Sequence, residues 1–117
     1  MKEYKINLES LRGKNGMNDF EVMFILPPFD EEEKVQKIED EIEKFIVEHG
    51  GKIEKTDSWG KQRLAYEILD YNYGYYYLIT FKMSDDGVKE LHEYMKSEHG
   101  RESVLRHMII RYDYQKG

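Results

Sequence analysis

Two segments of the chain alternate apolar and polar residues, which is the pattern of a β-strand with one buried face. In residues 19–26 (DFEVMFIL), one side of the strand carries Phe20, Val22, Phe24 and Leu26. Residues 74–83 (GYYYLITFKM) are the strongest strand pattern of the chain, and one side carries Tyr75, Tyr77, Ile79, Phe81 and Met83. We therefore predict two strands that bury these sides in a core.

Three further segments have strand character. Residues 52–57 and 64–68 are joined through Ser58, Trp59 and Gly60, and we interpret Trp59 and Gly60 as a bend or bulge between the halves of one long strand. Residues 104–112 (VLRHMIIRY) form the last strand. A turn is expected at residues 70–74 (DYNYG), because Asp, Asn and Gly favour turns.

Apolar residues recur at spacings of three and four in two other segments, which predicts two amphipathic helices. Asp30 is the expected N-cap of the first helix, with Glu33 completing a capping box, and the glycine pair at residues 50–51 ends it. Its apolar stripe consists of Val35, Ile38, Ile42, Phe45 and Ile46. Ser84 and the two aspartates after it cap the second helix. The stripe of that helix consists of Val88, Leu91, Tyr94 and Met95.

The element order is therefore β-α-β-β-α-β, which predicts a ferredoxin-like α+β sandwich: a four-stranded antiparallel sheet with two helices on one face. The other face of such a sheet is expected to be polar. Instead, three of the strands direct apolar side chains there: Met23, Ile25, Tyr76, Leu78, Met108 and Ile110. A contiguous apolar surface is typical of a site for a protein partner, and we predict one on this face.

Composition narrows the possible classes of protein. The 117 residues suit one domain, and the absence of cysteine excludes disulfides and thiolate chemistry and favours an intracellular setting. No membrane span or secretory signal is indicated. The formal charge of −6 is concentrated in residues 30–43, which we interpret as a solvated helix face. Cations gather elsewhere, at Lys61 and Arg63 and at Arg101, Arg106 and Arg111, so local contact with nucleic acid stays open.

No pattern in the sequence indicates catalysis, a metal or a cofactor. The histidines have no ligand spacing, and phosphate-binding glycine motifs do not occur. An acylphosphatase, a small enzyme of this fold, needs a phosphate-binding arginine loop after the first strand, where this chain has Pro27 and Pro28. Residues 73–80 (YGYYYLIT) match the octamer of an RNA-recognition motif only in part, and we favour packing of Tyr75 and Tyr77 into the core.

Four segments resemble the small-subunit ribosomal protein S6 family of bacteria. They are FEVMFIL, GGKIEKTDSWGKQRLAYEI, GYYYLITFKM and VLRHMIIR, in this order between residues 17 and 111. The resemblance implies a non-catalytic ferredoxin-like protein of the cytoplasmic ribosome. It also implies binding to the central domain of small-subunit ribosomal RNA as a heterodimer with ribosomal protein S18. The alternative is a free-standing interaction domain that oligomerises through its apolar sheet face.

Carried over residue by residue, the resemblance implies RNA contacts by Lys61, Gln62, Arg63, Arg106 and Arg111. Gln62 stands where the family usually has a second cation, and Glu67 stands where it usually has proline. Residues 94–103 are longer than the family's usual connection. We expect residues 1–16 to be an N-terminal extension of a domain over residues 17–117, docked on RNA or on a neighbouring protein.

Overall fold

Alternation and helical periodicity produce the six elements that the sequence predicts. The structure, a computed structural model, describes residues 16–100 and 103–112. The predicted extension, residues 1–16, lies outside this range except for Gly16. In chain order the elements are β1 (Met17–Leu26), α1 (Glu32–Glu48), β2 (Lys52–Ile68), β3 (Tyr71–Ser84), α2 (Asp85–Gly100) and β4 (Arg106–Arg111).

The four strands form one sheet in the order β2-β3-β1-β4, and all neighbouring strands are antiparallel. Residues of both helices share the main core with residues of the sheet, so both helices lie on the same face. The predicted ferredoxin-like sandwich is confirmed. β2 and β4 are the two edge strands, and this separation decides where the predicted site residues lie.

The predicted alternation in β1 and β3 defines the core. Phe20 stacks on Phe81 across the strand pair at 5.8 Å, and Phe24 packs against Tyr77 at 5.4 Å. Four residues of β1 and four of β3 are buried on this side: Phe20, Val22, Phe24, Leu26, Tyr77, Ile79, Phe81 and Met83. Burying each large side chain of this kind contributes on the order of 2 kcal/mol, so this face supplies most of the hydrophobic stabilisation.

The two helices begin differently from one another. Ser84 accepts a hydrogen bond from the backbone N–H of Gly87 at 3.0 Å, which confirms the predicted cap of α2. The predicted capping box of α1 is wrong, because α1 starts at Glu32 after Glu31, and no side chain caps it. A turn precedes the helix, in which the N–H of Phe29 donates to the carbonyl of Pro27 at 2.8 Å, and the N–H of Lys34 donates to the carbonyl of Glu31 at 3.1 Å, so the first helical turn begins at Glu31 and not at Asp30.

β2 is one continuous strand, with register shifts at three points, and one of them lies between Ser58 and Gly60. The predicted bulge is therefore confirmed, and Gly60 adopts a φ of +77° there. The turn that follows lies earlier than predicted, because Leu69 and Asp70 have positive φ and β3 already begins at Tyr71. Gly74 belongs to the strand, where an added Cβ would lie 2.6 Å from Cγ2 of Ile25, so it serves close packing and not a turn.

The last strand is shorter than predicted. The N–H of Val104 donates to the carbonyl of Glu98, which ties that residue to the end of α2. Val104 and Leu105 are both buried, and β4 extends from Arg106 to Arg111. Its alternate residues face opposite sides, since His107 lies opposite the buried Phe24, whereas Met108 lies opposite Met23.

Candidate protein and RNA interfaces

The structure brings the six apolar residues of the second sheet face together. Met23 of β1 lies directly between Leu78 of β3 and Met108 of β4, and Ile25 lies opposite Tyr76. Directly opposite residues in an antiparallel pair share a face, so these side chains form one surface. We name this surface the open face, defined by Met23, Ile25, Tyr76, Leu78, Met108 and Ile110. Its role in binding a partner stays a prediction.

The open face is not fully covered. Met108 is 51% exposed and Ile110 is 44% exposed, although both belong to a strand whose Ile109 packs against the core. Exposed apolar side chains are normal when they are scattered. Met108 lies beside the partly buried Met23, whereas Ile110 lies opposite Glu21, so the continuous apolar surface runs through Met108 and Met23.

One end of the open face is shaped into a groove by the far end of β2. Leu64 and Ile68 are buried there against Ile25 and Leu105, in a second apolar cluster separate from the main core. Beside this cluster lies an open groove of about 250 Å³, whose lining includes Met23, Tyr66, Tyr76, Arg106 and Met108. Leu64, Tyr66 and Ile68 were not predicted for this face, although their alternation along the chain was a usable signal. The register shift between Ser58 and Gly60 turns the even-numbered residues after it onto this side of the sheet, since Gln62 lies opposite Gly74.

Trp59 extends the open face towards the β2 edge. Its ring stacks on Tyr76 with a centroid distance of 6.0 Å and an interplanar angle of 12°. The indole N–H donates to Asp57 at 3.1 Å, and the Trp59 carbonyl accepts from Gln62 at 2.8 Å. The side chain is nevertheless 49% exposed. The bulge therefore holds a large aromatic side chain in a fixed orientation at the rim of the open face.

Two of the predicted RNA-binding residues, Lys61 and Arg63, point to the other side of the β2–β3 hairpin. Lys61 lies opposite Tyr75, and Arg63 lies opposite Tyr73. Arg63 donates to the hydroxyl of Tyr73 at 3.2 Å, and its guanidinium carbon lies 5.7 Å from the centre of that ring. Both cations are exposed, and the Tyr73 contacts orient the arginine while leaving its remaining N–H groups available.

The other predicted RNA-binding residues do not join this pair. Gln62 uses its side-chain amide within the bulge, as its bond to Trp59 shows. Arg106 and Arg111 lie on β4, the opposite edge of the sheet, about 14 Å from β2 at about 4.8 Å per strand. Arg106 lines the groove of the open face, whereas Arg111 lies opposite the buried Phe20 on the helix side. Arg111 also forms an ion pair with Asp85 at 3.8 Å. The five residues therefore lie at two opposite edges of the sheet, and Arg106 and Arg111 face opposite sides of it.

A buried acid lies on the helix-covered side of the sheet. Glu39 of α1 is 5% exposed, and its burial raises its pKa from 4.5 to about 7, with smaller contributions from the negative charges of Glu43 and Asp40. The neighbouring Tyr77 donates to Glu43 at 2.5 Å. Burial and this hydrogen bond raise the pKa of Tyr77 to about 12. The interpretation of the acidic helix as a solvated face is therefore wrong for Glu39, which faces the sheet.

Two kinds of site are not found among the described residues. Within residues 16–98 and 103–112 no cluster of three or more metal-ligating side chains could hold a metal ion. None of the described helices is long and apolar enough to cross a membrane. What the fold does present is a partly exposed apolar surface with cations at its edges.

Comparison with known proteins agrees with this description. The model of the family described as ribosomal protein S6 matches residues 19–111. The small ribosomal subunit protein bS6 of Alkaliphilus oremlandii is 44% identical over 95 residues, which cover 81% of this chain and 97% of that protein. The bS6 protein of Desulforamulus reducens is 41% identical with the same coverage. The crystal structure of 30S ribosomal protein S6 from Thermotoga maritima has a TM-score of 0.77 at 29% identity, and the match covers 86% of this chain and 92% of that one.

The fold, together with relatives that are named as ribosomal proteins, defines a ferredoxin-like structural protein. The family-model match over residues 19–111 and the relatives above 40% identity show which family of structural proteins this is. The chain belongs to the ribosomal protein S6 family, and it is a protein of the small ribosomal subunit in the cytoplasm. The resemblance drawn from the four sequence segments is confirmed.

Proposed function

We propose that the chain binds the central domain of small-subunit ribosomal RNA as a heterodimer with ribosomal protein S18, and thereby supports subunit assembly. The observation that carries this proposal is the open face. Its two most exposed members, Met108 and Ile110, gain burial only if another molecule covers them. Membership of a ribosomal family makes a ribosomal partner the appropriate occupant.

The charge of the chain supports different roles for the two proteins, in which the partner makes most of the contacts with RNA phosphates. Affinity for RNA depends mainly on contacts between cations and phosphates. A chain of net charge −6 can contribute only a few such contacts. A partner richer in lysine and arginine would supply the rest, and the open face would hold that partner in place.

We propose that Lys61 and Arg63 supply this chain's principal phosphate contacts. Both are exposed on the protruding β2–β3 hairpin, and Tyr73 orients the arginine. An arginine presented in a fixed orientation suits the bidentate geometry of a phosphate. Arg106 and Arg111 lie at the other edge of the sheet, where Asp85 already pairs with Arg111, so we assign them a smaller contribution. Gln62 adds a neutral contact at most.

The test is a binding titration with a fragment of the ribosomal RNA central domain. The chain is measured alone, S18 alone, and both together, across a series of salt concentrations. We expect tight binding only when both proteins are present, with an affinity that falls as salt rises because bound cations are released from the RNA. Binding by S18 that is unchanged on adding this chain would contradict the proposal.

A second experiment tests the alternative of a free-standing interaction domain. That alternative requires oligomers of the chain itself, formed through the open face. Analytical ultracentrifugation of the chain alone, and with S18, separates the two cases. A stable homo-oligomer that does not exchange for a heterodimer would favour the alternative.

Residues 1–16 are proposed to act as an extension that contacts RNA or a neighbouring protein. A chain starting at Met17 should then fold with unchanged stability and form the heterodimer, but assemble less tightly with the RNA. Equal assembly of the two chains, or intact-mass data with Met17 as the first residue of the cellular protein, would contradict this proposal.

A further inference from the structure

Two histidines from different elements meet at the edge of the sheet opposite the β2–β3 hairpin. Nδ1 of His92, on α2, lies 2.9 Å from Nε2 of His107, on β4. The ring centroids are 5.0 Å apart, and the rings are tilted by 52°. We name these two residues the histidine pair. We propose that the histidine pair is a binding site for a divalent transition-metal ion such as Zn²⁺ or Cu²⁺, which would fasten α2 to the edge strand β4.

The fold places this pair by its topology and not by spacing along the chain. His107 lies opposite the buried Phe24, so its side chain is on the helix-covered side of the sheet. α2 packs on that side, and β4 is an edge strand with open space beyond it. The two rings therefore meet at the margin of the core, where His92 is exposed and His107 is half-buried. Neutral imidazole in such a setting is a preferred ligand for Zn²⁺, Cu²⁺ and Ni²⁺.

The distance between the two nitrogens fits one ion. Imidazole nitrogens bind Zn²⁺ at about 2.0–2.1 Å, so two of them at a right angle around one ion lie about 2.9 Å apart, and about 3.4 Å apart at a tetrahedral angle. The first value equals the separation in the structure. An octahedral or tetragonal ion needs only rotation of the rings, and a tetrahedral ion needs them to separate by about 0.5 Å as well.

Binding of the metal ion leaves the number of protons on the histidine pair unchanged. In the neutral pair, one of the two facing nitrogens carries the hydrogen and the other accepts it. Binding of the ion requires a lone pair on both nitrogens, so the donor ring moves its hydrogen to its other nitrogen. The two imidazoles stay neutral, and no proton leaves the protein. Neither an oxidant nor a reductant is involved.

Space for the remaining ligands exists beside the pair. A groove of about 420 Å³ runs between α2 and β4, and His92, Glu93 and Ile109 are among the residues that line it. Water molecules can complete the coordination there, with the Glu93 carboxylate on the same groove. Lys89 and Arg111 also line the groove, and their charges oppose that of the ion. With two protein ligands and two nearby cations, we expect a weaker site than a structural zinc site of four ligands.

The experiment is calorimetric titration of the full chain with ZnCl₂ at pH 7.5, repeated for His92→Asn and His107→Asn. His49→Asn is the matched control, because His49 is an exposed histidine at the end of the other helix. We expect one equivalent of Zn²⁺ to bind the parent chain, at least tenfold weaker binding in each pair variant, and unchanged binding in the control. Circular dichroism checks that each variant is folded.

Electron paramagnetic resonance of the Cu²⁺-loaded chain gives a signal that a change in folding alone would not produce. Two imidazole nitrogens should couple to the copper in the parent chain, and one in either pair variant.

Zn²⁺ should also raise the unfolding temperature of the parent chain but not of the pair variants, because an ion that binds only the folded state stabilises it. The absence of saturable binding to the parent chain, or equal binding by all four chains, would overturn the proposal. So would a loss confined to one of the two histidines. None of these outcomes depends on the proposed RNA binding.

Discussion

The two faces of the sheet are built from the same strands and differ in what covers them. Val22 and Phe24 of β1 are fully buried beneath the helices, whereas Met23 between them lies on the open face. In β4, Ile109 packs against the core, but Met108 and Ile110 on either side of it are about half exposed. An apolar side chain stabilises the fold only to the extent that folding removes it from water. The covered face therefore accounts for stability, and the open face is available for binding.

Residues that stabilise the fold alternate, along the same strand, with residues that are available for binding. Neighbouring residues of a strand face opposite sides, so a single step along the sequence changes a residue from core to surface. Substitutions one position apart should therefore have different consequences. The following predictions test that separation.

The largest effect should come from a cavity on the covered face. Phe24 is fully buried, and Phe24→Ala should lower the free energy of unfolding by about 3–5 kcal/mol. Met108→Ala, on the open face, should change it by about 0.5 kcal/mol or less, because half of that side chain is already in water. Urea denaturation followed by the fluorescence of the single tryptophan measures both. Equal losses would show that the open face also supports the fold.

A charge on the open face should act on binding and not on folding. Met108→Glu would place an unpaired carboxylate in the proposed interface with S18, and we expect the affinity for S18 to fall by about 2–5 kcal/mol. Val47→Glu is the matched control, since Val47 is an apolar residue of α1 that is 57% exposed. Both variants should keep the stability of the parent chain. Heterodimer formation by Met108→Glu at the parent affinity would exclude the open face as the partner site.

The covered face contains an acid whose charge opposes folding. Because burial raises the pKa of Glu39 from 4.5 to about 7, the folded state favours the neutral carboxyl. Its contribution to stability is present below pH 4.5 and is lost as the pH rises through about 7. Glu39→Gln should therefore raise the free energy of unfolding at pH 8 by up to about 3 kcal/mol, because each unit of pKa shift corresponds to about 1.36 kcal/mol. The same substitution should have little effect at pH 4.

Thermal and urea unfolding at these two pH values measure the effect. Glu41→Gln is the control, because Glu41 is exposed on the same helix and should change the pH dependence very little. A stability gain in Glu39→Gln that is the same at pH 4 and pH 8 would point to packing in place of charge.

The smallest effect is expected at the edges of the sheet, where the predicted RNA contacts lie. Arg63→Ala should weaken binding of the S18 heterodimer to the RNA fragment by about 1 kcal/mol and reduce the salt slope by about 1, with little change in fold stability. Arg111→Ala compares the opposite edge, where we expect less loss of RNA binding because Asp85 pairs with that arginine. Unfolding of Arg63→Ala would show that its contacts with Tyr73 are structural.

Local patterns explain the parts of the fold that the sequence predicted. The alternation in β1 and β3, the stripes of both helices, the Ser84 cap and the bulge at Gly60 all depend on residues close together in the chain. Each of these features follows from side-chain periodicity or from backbone preference alone. The same reasoning predicted apolar residues of three strands on the second face, and the register of the sheet brings Met23 between Leu78 and Met108.

The sequence by itself thus determined the element order, the core side of each strand and the two-faced character of the sheet. Only the tertiary structure decided the strand order that separates Lys61 and Arg63 from Arg106 and Arg111, since no local pattern encodes which strands are edges. It also decided that Leu64 and Ile68 turn onto the open face, that Glu39 is buried, and that His92 meets His107. These features arise from packing between segments far apart in the chain, where the free energy depends on shape and register and not on the preference of any one residue.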